Sequence, residues 1–494
     1  MSRDASNILI IMSDEHRKDA MGCAGHPIIR TPHLDALAAR GALFSNAYTP
    51  SPMCVPARAA IATGDYVYRI RHWDSASSYD GQRRSWMHHL RDSGVETVSI
   101  GKLHFRSTDD DNGFSQEILP MHVVGGVGWP VGLLRDAPPA YDAASELAAD
   151  VGAGRSSYTD YDREITGAAE AWLHSRAGAQ DPWGAFVSLV SPHYPLVCPE
   201  EYLDLYDPAK IDLPVGYGTR SRPDHSELKN IAAFFDYDRY FDEQRMREAR
   251  AAYYGLTSFM DNCVGRILSA LSGSGQQENT VVVYVSDHGD MLGDQGFWTK
   301  QVMYEQSAGV PMIIAGPGVS AGRRVTTGAS LLDLAATALD ATGVPHDVQS
   351  ADLPGVSLLQ LASDPDDADR TILSEYHDGG STTGTFMVRW QRWKYVHYVG
   401  HEPQLFNLQD DPDELTDLAA VARRGPDVLA ALAEGERRLR SLCDPEVVNA
   451  QCFEDQRRRI EALGGEEACL TAFRFSHTPT PEEQEDSGRT GSAL

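Results

Sequence analysis

Ser51-Pro52-Met53-Cys54-Val55-Pro56-Ala57-Arg58, running on through Ala59-Ala60-Ile61-Ala62-Thr63-Gly64, is the stretch around which the rest of the chain is organised. Pro56 suits the first turn of a helix, where its missing N–H is no loss. The small residues from Ala57 to Ala62 are good helix material. Cys54 is therefore expected just ahead of a helix N-terminus, where free N–H groups and the dipole favour an anion. Arg58 lies one turn on, so its guanidinium is expected at the same spot. These residues alone leave two readings open: a buried cysteine capping an ordinary helix, or a site for a tetrahedral oxyanion.

Outward from this segment, short apolar runs end in reactive side chains. Asn7 to Met12 leads into Ser13-Asp14-Glu15, and Val95 to Ile100 into Gly101-Lys102-Leu103-His104. Trp183 to Val190 leads into Ser191-Pro192-His193-Tyr194-Pro195. Thr280 to Val285 leads into Ser286-Asp287-His288-Gly289-Asp290, with Lys300 shortly after. Continuous apolar runs of this length read as strands buried on both faces of a parallel sheet. Sites in such sheets form at the carboxyl ends of the strands. Helices are expected from Thr31-Pro32, over 85–92, 161–177, 248–271 and 331–342, and Ala42 to Tyr48 is expected as one strand. The stretches 109–160 and 208–243 lack clear periodicity and read as loops, the first lying over the mouth of a site.

The fold class expected is α/β: a large, mixed, mostly parallel central sheet flanked by helices, with a small C-terminal antiparallel sheet and helices. The aromatic strands at 371–376, 386–390 and 393–398 make that small sheet, and helices follow at 427–442 and 445–463. Residues 1–365 are expected as the catalytic domain and 366–475 as a smaller α+β unit. Residues 476–494 read as a polar tail, mobile or reaching a partner subunit.

A chain of 494 residues with a formal net charge of −28 argues against nucleic acid and anionic membrane as partners. No segment approaches the length of an apolar membrane span. The 7 cysteines show no paired spacing, which reads as reduced thiols rather than a disulfide framework.

The Cys54 segment resembles the C-x-P-x-R signature of the type I sulfatases, members of the alkaline phosphatase superfamily. The string from Thr31 to Tyr48 is similar to that family's N-terminal region. Leu405-Phe406-Asn407-Leu408-Gln409-Asp410-Asp411-Pro412-Asp413-Glu414 is similar to its C-terminal segment. The resemblance implies an alkaline phosphatase-like fold and hydrolysis of sulfate monoesters. It implies that Cys54 is oxidised to formylglycine, whose hydrate is the nucleophile, and that one divalent metal is held by Asp14, Asp287, His288 and position 54. Glu15 is a further candidate ligand. Oxygen-rich ligation favours Ca²⁺, and the His288 imidazole keeps Mn²⁺ in play. Arg58, Lys102 and Lys300 are expected to stabilise the equatorial charge. His193 is expected to face the leaving-group oxygen, and His104 to take a proton from the second hydroxyl. The implied partners are a small-molecule sulfate ester and a formylglycine-generating maturation enzyme, with homo-oligomerisation left open. Many relatives are exported, but the apolar run Ile8 to Met12 is too short for a signal-peptide core and no small-residue cleavage site follows it, so a cytoplasmic location is expected.

Two rivals remain at this level. One is a phosphonate or phosphate mono- or diester hydrolase of the same superfamily, against which the Lys102–His104 pair speaks. The other is a non-catalytic anion-binding protein with an unmodified Cys54. Ser75 stands where the choline sulfatase and phosphonate monoester hydrolase branches often carry Asn, so no role is carried over to it.

Overall fold

The structure is a computed structural model that describes residues 5–217, 222–346, 352–472 and 477–490. Its centre is an eight-stranded sheet. In chain order the strands are β1 (Asn7–Asp14), β2 (Ala42–Phe44), β3 (Glu96–Lys102), β4 (Gln116–Met121), β5 (Trp183–Pro192), β6 (Thr280–Ser286), β7 (Met312–Ala315) and β8 (Arg323–Val325). Their spatial order is β8-β2-β7-β6-β1-β5-β3-β4. Only β7 runs against its neighbours; β1, β3, β5 and β6 are mutually parallel.

The continuous apolar runs have a direct cause. Ile8, Ile10 and Met12 pack into one core, and Leu9 and Ile11 into another on the opposite face. The same alternation divides Val281, Val283 and Val285 from Val282 and Tyr284. A strand covered on both sides has no solvent face on which to place polar residues.

The principal helices are α1 (Pro32–Ala39), α2 (Cys54–Thr63), α3 (Trp86–Asp92), α4 (Ser157–Ser175), α5 (Ser226–Phe235), α6 (Glu243–Gly273), α7 (Asp333–Thr342), α8 (Pro426–Leu442), α9 (Pro445–Ala462) and α10 (Pro481–Thr490). Helices α4 and α6 cover one face, and α2 and α7 the other. Gly64 ends α2 at φ +70°, and a Cβ there would lie 2.6 Å from the Ala335 Cβ, so the helix stops where it meets α7. A separate antiparallel meander follows: β9 (Ile372–Tyr376), β10 (Thr385–Trp390), β11 (Trp393–Tyr398) and β12 (Gln404–Asn407). No helix among the described residues is long and apolar enough to cross a membrane.

Several expectations change. Cys54 is the first residue of α2 rather than a flanking one, with Met53 as N-cap. Thr31 flanks α1 as expected, but its hydroxyl donates to Asp35 instead of capping a backbone N–H. Ala42 to Tyr48 is not one strand: Ala47–Tyr48 leaves the large sheet to pair with Ala329–Ser330. The stretch at 109–160 supplies the edge strand β4, whose residues are only half-buried and so lack a long apolar run. The stretch at 208–243 contains α5. The tail expected to be mobile carries α10, and just before that helix the Tyr158 hydroxyl donates to the Thr478 carbonyl at 2.7 Å. Residues 473–476, which join it to the body, lie outside the described residues.

Candidate active site

Four parallel strands deliver side chains to one edge: Asp14 closes β1, Lys102 closes β3, His193 follows β5 and Asp287 follows β6. The α2 N-terminus brings Cys54 to the same point. Asp14, Cys54, Asp287 and His288 are buried, and one ligand atom from each lies within 4.8 Å of all the others.

Arg58 holds this group together. Its Nε donates to Asp287 Oδ2 and its Nη2 to Asp14 Oδ2, each at 2.8 Å. Its Nη1 donates to the Lys102 carbonyl at 2.8 Å and to Ser188 Oγ at 3.0 Å. The guanidinium is thus spent on protein acceptors and does not line the cavity above Cys54. The expectation that Arg58 itself meets the anion is corrected: two buried carboxylates in one place require a shared counter-ion, and Arg58 is that ion. Lys102 Nζ adds a 2.8 Å ion pair to Asp14 Oδ2. Burial alone would raise the Asp14 carboxyl, but Lys102 and Arg58 hold it well below the usual carboxylate range.

These contacts occupy Oδ2 of each aspartate; Asp14 Oδ1 faces the Cys54 thiol, and Asp287 Oδ1 accepts the backbone N–H groups of His288 at 3.0 Å and Glu15 at 3.3 Å. His288 Nδ1 lies 3.0 Å from the Gly289 carbonyl. A proton on that nitrogen donates there and leaves the Nε2 lone pair facing inward, 3.1 Å from Cys54 Sγ and 3.7 Å from Asp287 Oδ1. Two converging carboxylate oxygens, one imidazole nitrogen and the side chain at position 54 are a donor set that fits a divalent cation. Glu15 falls instead in a second buried group, with Asp14 and His193, whose ligand atoms also lie within 4.8 Å of one another. Its carboxylate turns to Lys300 Nζ at 3.2 Å and His193 Nε2 at 3.3 Å.

His193 Nδ1 lies 2.6 Å from the Tyr194 carbonyl, and His193 Nε2 lies 3.0 Å from Lys300 Nζ. Burial, reinforced by Lys300, keeps His193 well below the usual imidazole value. Burial opposes the charge on Lys300, but the Glu15 carboxylate 3.2 Å away supports it, and the ammonium lies well above the ordinary lysine value. The proton of this pair therefore resides on the lysine. His104 is buried with both ring nitrogens unpartnered, and burial together with Lys102 holds it well below the usual imidazole value. It is a neutral base facing the cavity.

Above this floor is a cavity of about 110 Å³. Cys54, Lys102, His104, His193 and Lys300 line its base, and Trp129, Tyr141, Phe235 and Tyr237 its upper wall. The tail contributes His477 and Thr478, with the His477 ring set edge-on to Tyr158 at 4.9 Å. Ser75 also lines it, and its N–H and hydroxyl both donate to Asp378 Oδ2, at 2.7 and 2.6 Å. Sequence reasoning brought the base together and placed the stretch 109–160, which carries Trp129 and Tyr141, over the mouth; it missed Phe235, Tyr237 and Asp378. No periodicity marks a cavity wall assembled from separate loops.

A family model described as Sulfatase matches residues 6–344, and one described as N-sulphoglucosamine sulphohydrolase, C-terminal, matches residues 293–438. The chain belongs to the sulfatase family. It is a hydrolase of sulfate esters, and its fold is the alkaline phosphatase-like one. Among related sulfatases, the choline-sulfatase of Rhizobium meliloti is 33% identical over 472 residues, covering 93% of this chain and 91% of that protein. Arylsulfatase K of Danio rerio is 31% identical over 465 residues, covering 90% of this chain and 84% of its own. Among solved structures, the phosphonate monoester hydrolase of Agrobacterium radiobacter superposes with a TM-score of 0.69 at 25% identity, over 88% of this chain and 95% of that one. The relatives of higher identity are sulfatases, so the phosphonate hydrolase alternative fits less well.

Proposed function

We propose that this sulfatase hydrolyses the sulfate monoester of a small alcohol or phenol, using formylglycine at position 54 and one divalent cation. The observation that carries this reading is the cavity: about 110 Å³ of space with Cys54 in its base and aromatic rings in its wall. Aromatic faces suit an alkyl, aryl or quaternary ammonium leaving group. Choline sulfate, suggested by the relative from Rhizobium meliloti, combines an alkyl chain with such a cation.

Asp14, Asp287 and His288 would hold the cation, together with the side chain at position 54. The carboxylate-rich set suits Ca²⁺, with Mn²⁺ the alternative that the imidazole nitrogen adds. A bound cation would supply Lewis acidity at this point. Formylglycine at position 54 would supply, as its hydrate, the oxygen nucleophile that an unmodified cysteine lacks. Burial and the Asp14 carboxylate push the Cys54 thiol up to about 11, so an unconverted cysteine presents a protonated, weakly nucleophilic sulfur. Cys54 is only 5% exposed, which favours conversion by a maturation enzyme before the chain folds.

The remaining groups follow from their surroundings. Lys102 and Lys300 face the cavity and stabilise charge on the sulfuryl oxygens. The Lys300–His193 pair carries one mobile proton and delivers it to the leaving oxygen. His104, with both ring nitrogens unpartnered, lines the same cavity as position 54 and is placed to accept a proton there. Seven cysteines without a disulfide support a reducing, cytoplasm-like compartment.

A panel of choline, aryl and sugar sulfates with a phosphonate monoester tests the reading, on protein coexpressed with a maturation enzyme. Intact mass establishes conversion of Cys54, and elemental analysis identifies the metal. A k_cat/K_M for the phosphonate about a hundredfold above every sulfate, roughly 2.7 kcal/mol of differential transition-state binding, would overturn it.

A further inference from the structure

Strand β5 carries His193, yet its end is not held by the sheet. The register with β1 is regular to Met12↔Ser188 and then jumps to Asp14↔Pro192. On the other side, pairing with β3 stops at Gly101↔Ser188. Residues Leu189 to Ser191 therefore form an extra loop of strand, buried and without ladder partners. Buried N–H groups in such a bulge need acceptors from elsewhere.

Asp162, on α4, supplies them. Its Oδ1 accepts from the Val190 N–H at 2.7 Å and its Oδ2 from the Ser191 N–H at 2.8 Å. The carboxylate is 0% exposed. The Val190 carbonyl in turn accepts from the His193 N–H at 3.1 Å. A short chain of hydrogen bonds thus runs from the α4 carboxylate to the backbone of His193, whose Nε2 meets Lys300 Nζ at 3.0 Å.

We propose that Asp162 is a positioning residue for leaving-group protonation: it clamps the bulged end of β5 so that His193 stays against Lys300 and faces the ester oxygen. The inference rests on the reading of His193 and Lys300 as the proton-delivering pair. A bidentate carboxylate meets two consecutive N–H groups, which an amide cannot do, because its NH₂ would oppose an N–H. Loss of the clamp moves His193 relative to the leaving oxygen, while the Asp162 carboxylate itself is hydrogen-bonded to Val190 and Ser191 and not to the metal ligands, the nucleophile or Lys102.

The test compares Asp162→Asn, His193→Ala and the double variant on an alkyl sulfate, which needs protonation, and on 4-nitrophenyl sulfate, which departs unaided. Asp162→Asn should lower kcat on the alkyl ester by about 30- to 100-fold and on the nitrophenyl ester by about threefold or less, at or below the ~10²-fold lower end of general-acid effects, as suits a residue that positions the acid. K_M for both should stay within about twofold, as expected when only a transition-state contact is lost. His193→Ala should show the same selectivity, and the double variant should be no slower than His193→Ala alone, because residues acting through one another are not additive. Equal losses on both esters from Asp162→Asn, or an additive double variant, would overturn the clamp while leaving the acid pair intact. A His193→Ala variant without leaving-group selectivity would overturn the acid pair and the clamp with it. Should the amide variant not fold, Asp162→Glu retains the charge but displaces the carboxylate by one methylene. It should show the same selective loss, and wild-type rates from it on both esters would count against the proposal.

Discussion

The base and the wall of the cavity are built on different principles. The base is assembled from the ends of four neighbouring parallel strands and one helix N-terminus, all in one rigid layer. Its charges are matched atom by atom, with Arg58 and Lys102 against Asp14 and Asp287. The wall comes from the loop bearing Trp129, from Tyr141, from α5 and from the polar tail, and it is mostly aromatic. Chemistry that tolerates little displacement sits on strands, and the choice of leaving group sits on loops that can differ without disturbing it.

The sharpest way to break this division is at position 54. Cys54→Ala should cost about 10⁵- to 10⁶-fold in k_cat, the order seen on deleting a nucleophile. Its unfolding midpoint should hardly move, because the helix start needs no thiol. Turnover near wild type would show that the base does not hold the nucleophile.

Asp287→Ala comes next. It removes one converging oxygen and leaves Arg58 without its Nε acceptor. Bound metal, measured by elemental analysis, should fall by more than the ~10–100-fold typical of losing an outer-sphere partner. Activity should fall in parallel. Full metal occupancy in this variant would contradict the ligand set.

His104→Ala should slow sulfate release by about 10²- to 10⁴-fold while sparing alcohol release, so that a burst of alcohol precedes a slow steady state. Wild type also carries a pH signature. The folded imidazole is held below its ordinary value, so the unprotonated base persists as pH falls through that value. The acid limb of k_cat should therefore show no His104 inflection near the usual imidazole value. One found there would place His104 in a more open setting.

Wall variants should behave differently. Trp129→Ala removes a cavity-lining aromatic, and about 1.5–3 kcal/mol of burial corresponds to a loss of roughly 10- to 150-fold in k_cat/K_M for the preferred ester. Much of it should appear in K_M, and bulkier aryl sulfates should lose less or gain. The smallest effect is expected from truncating the chain after Ala472, which removes His477 and Thr478 from the cavity. A change of about fivefold in the ratio of small to large esters, near 1 kcal/mol, is expected with metal content unchanged. Loss of metal on truncation would show that base and wall are not separable.

Much of the base was legible before the fold was known. The runs before Asp14, Lys102, His193 and Asp287 announced themselves because strands covered on both faces must be apolar throughout. The start of α2 was legible to within one residue, because proline and small residues act locally. Edge strand β4 was not, because its exposed side relaxes that demand.

What the tertiary structure alone decided is how donors and acceptors were shared out. Arg58 was expected to meet an anion, but it is saturated by Asp287, 229 residues away in sequence, and by Asp14. Ser75 owes its setting to Asp378, 303 residues on, and Tyr158 meets the tail across 320 residues. Residue types and local periodicity state which groups can bond and which faces must be buried. They do not state which of several capable partners arrives first in a packed interior, where one arrangement satisfies the buried charges and the others leave them alone.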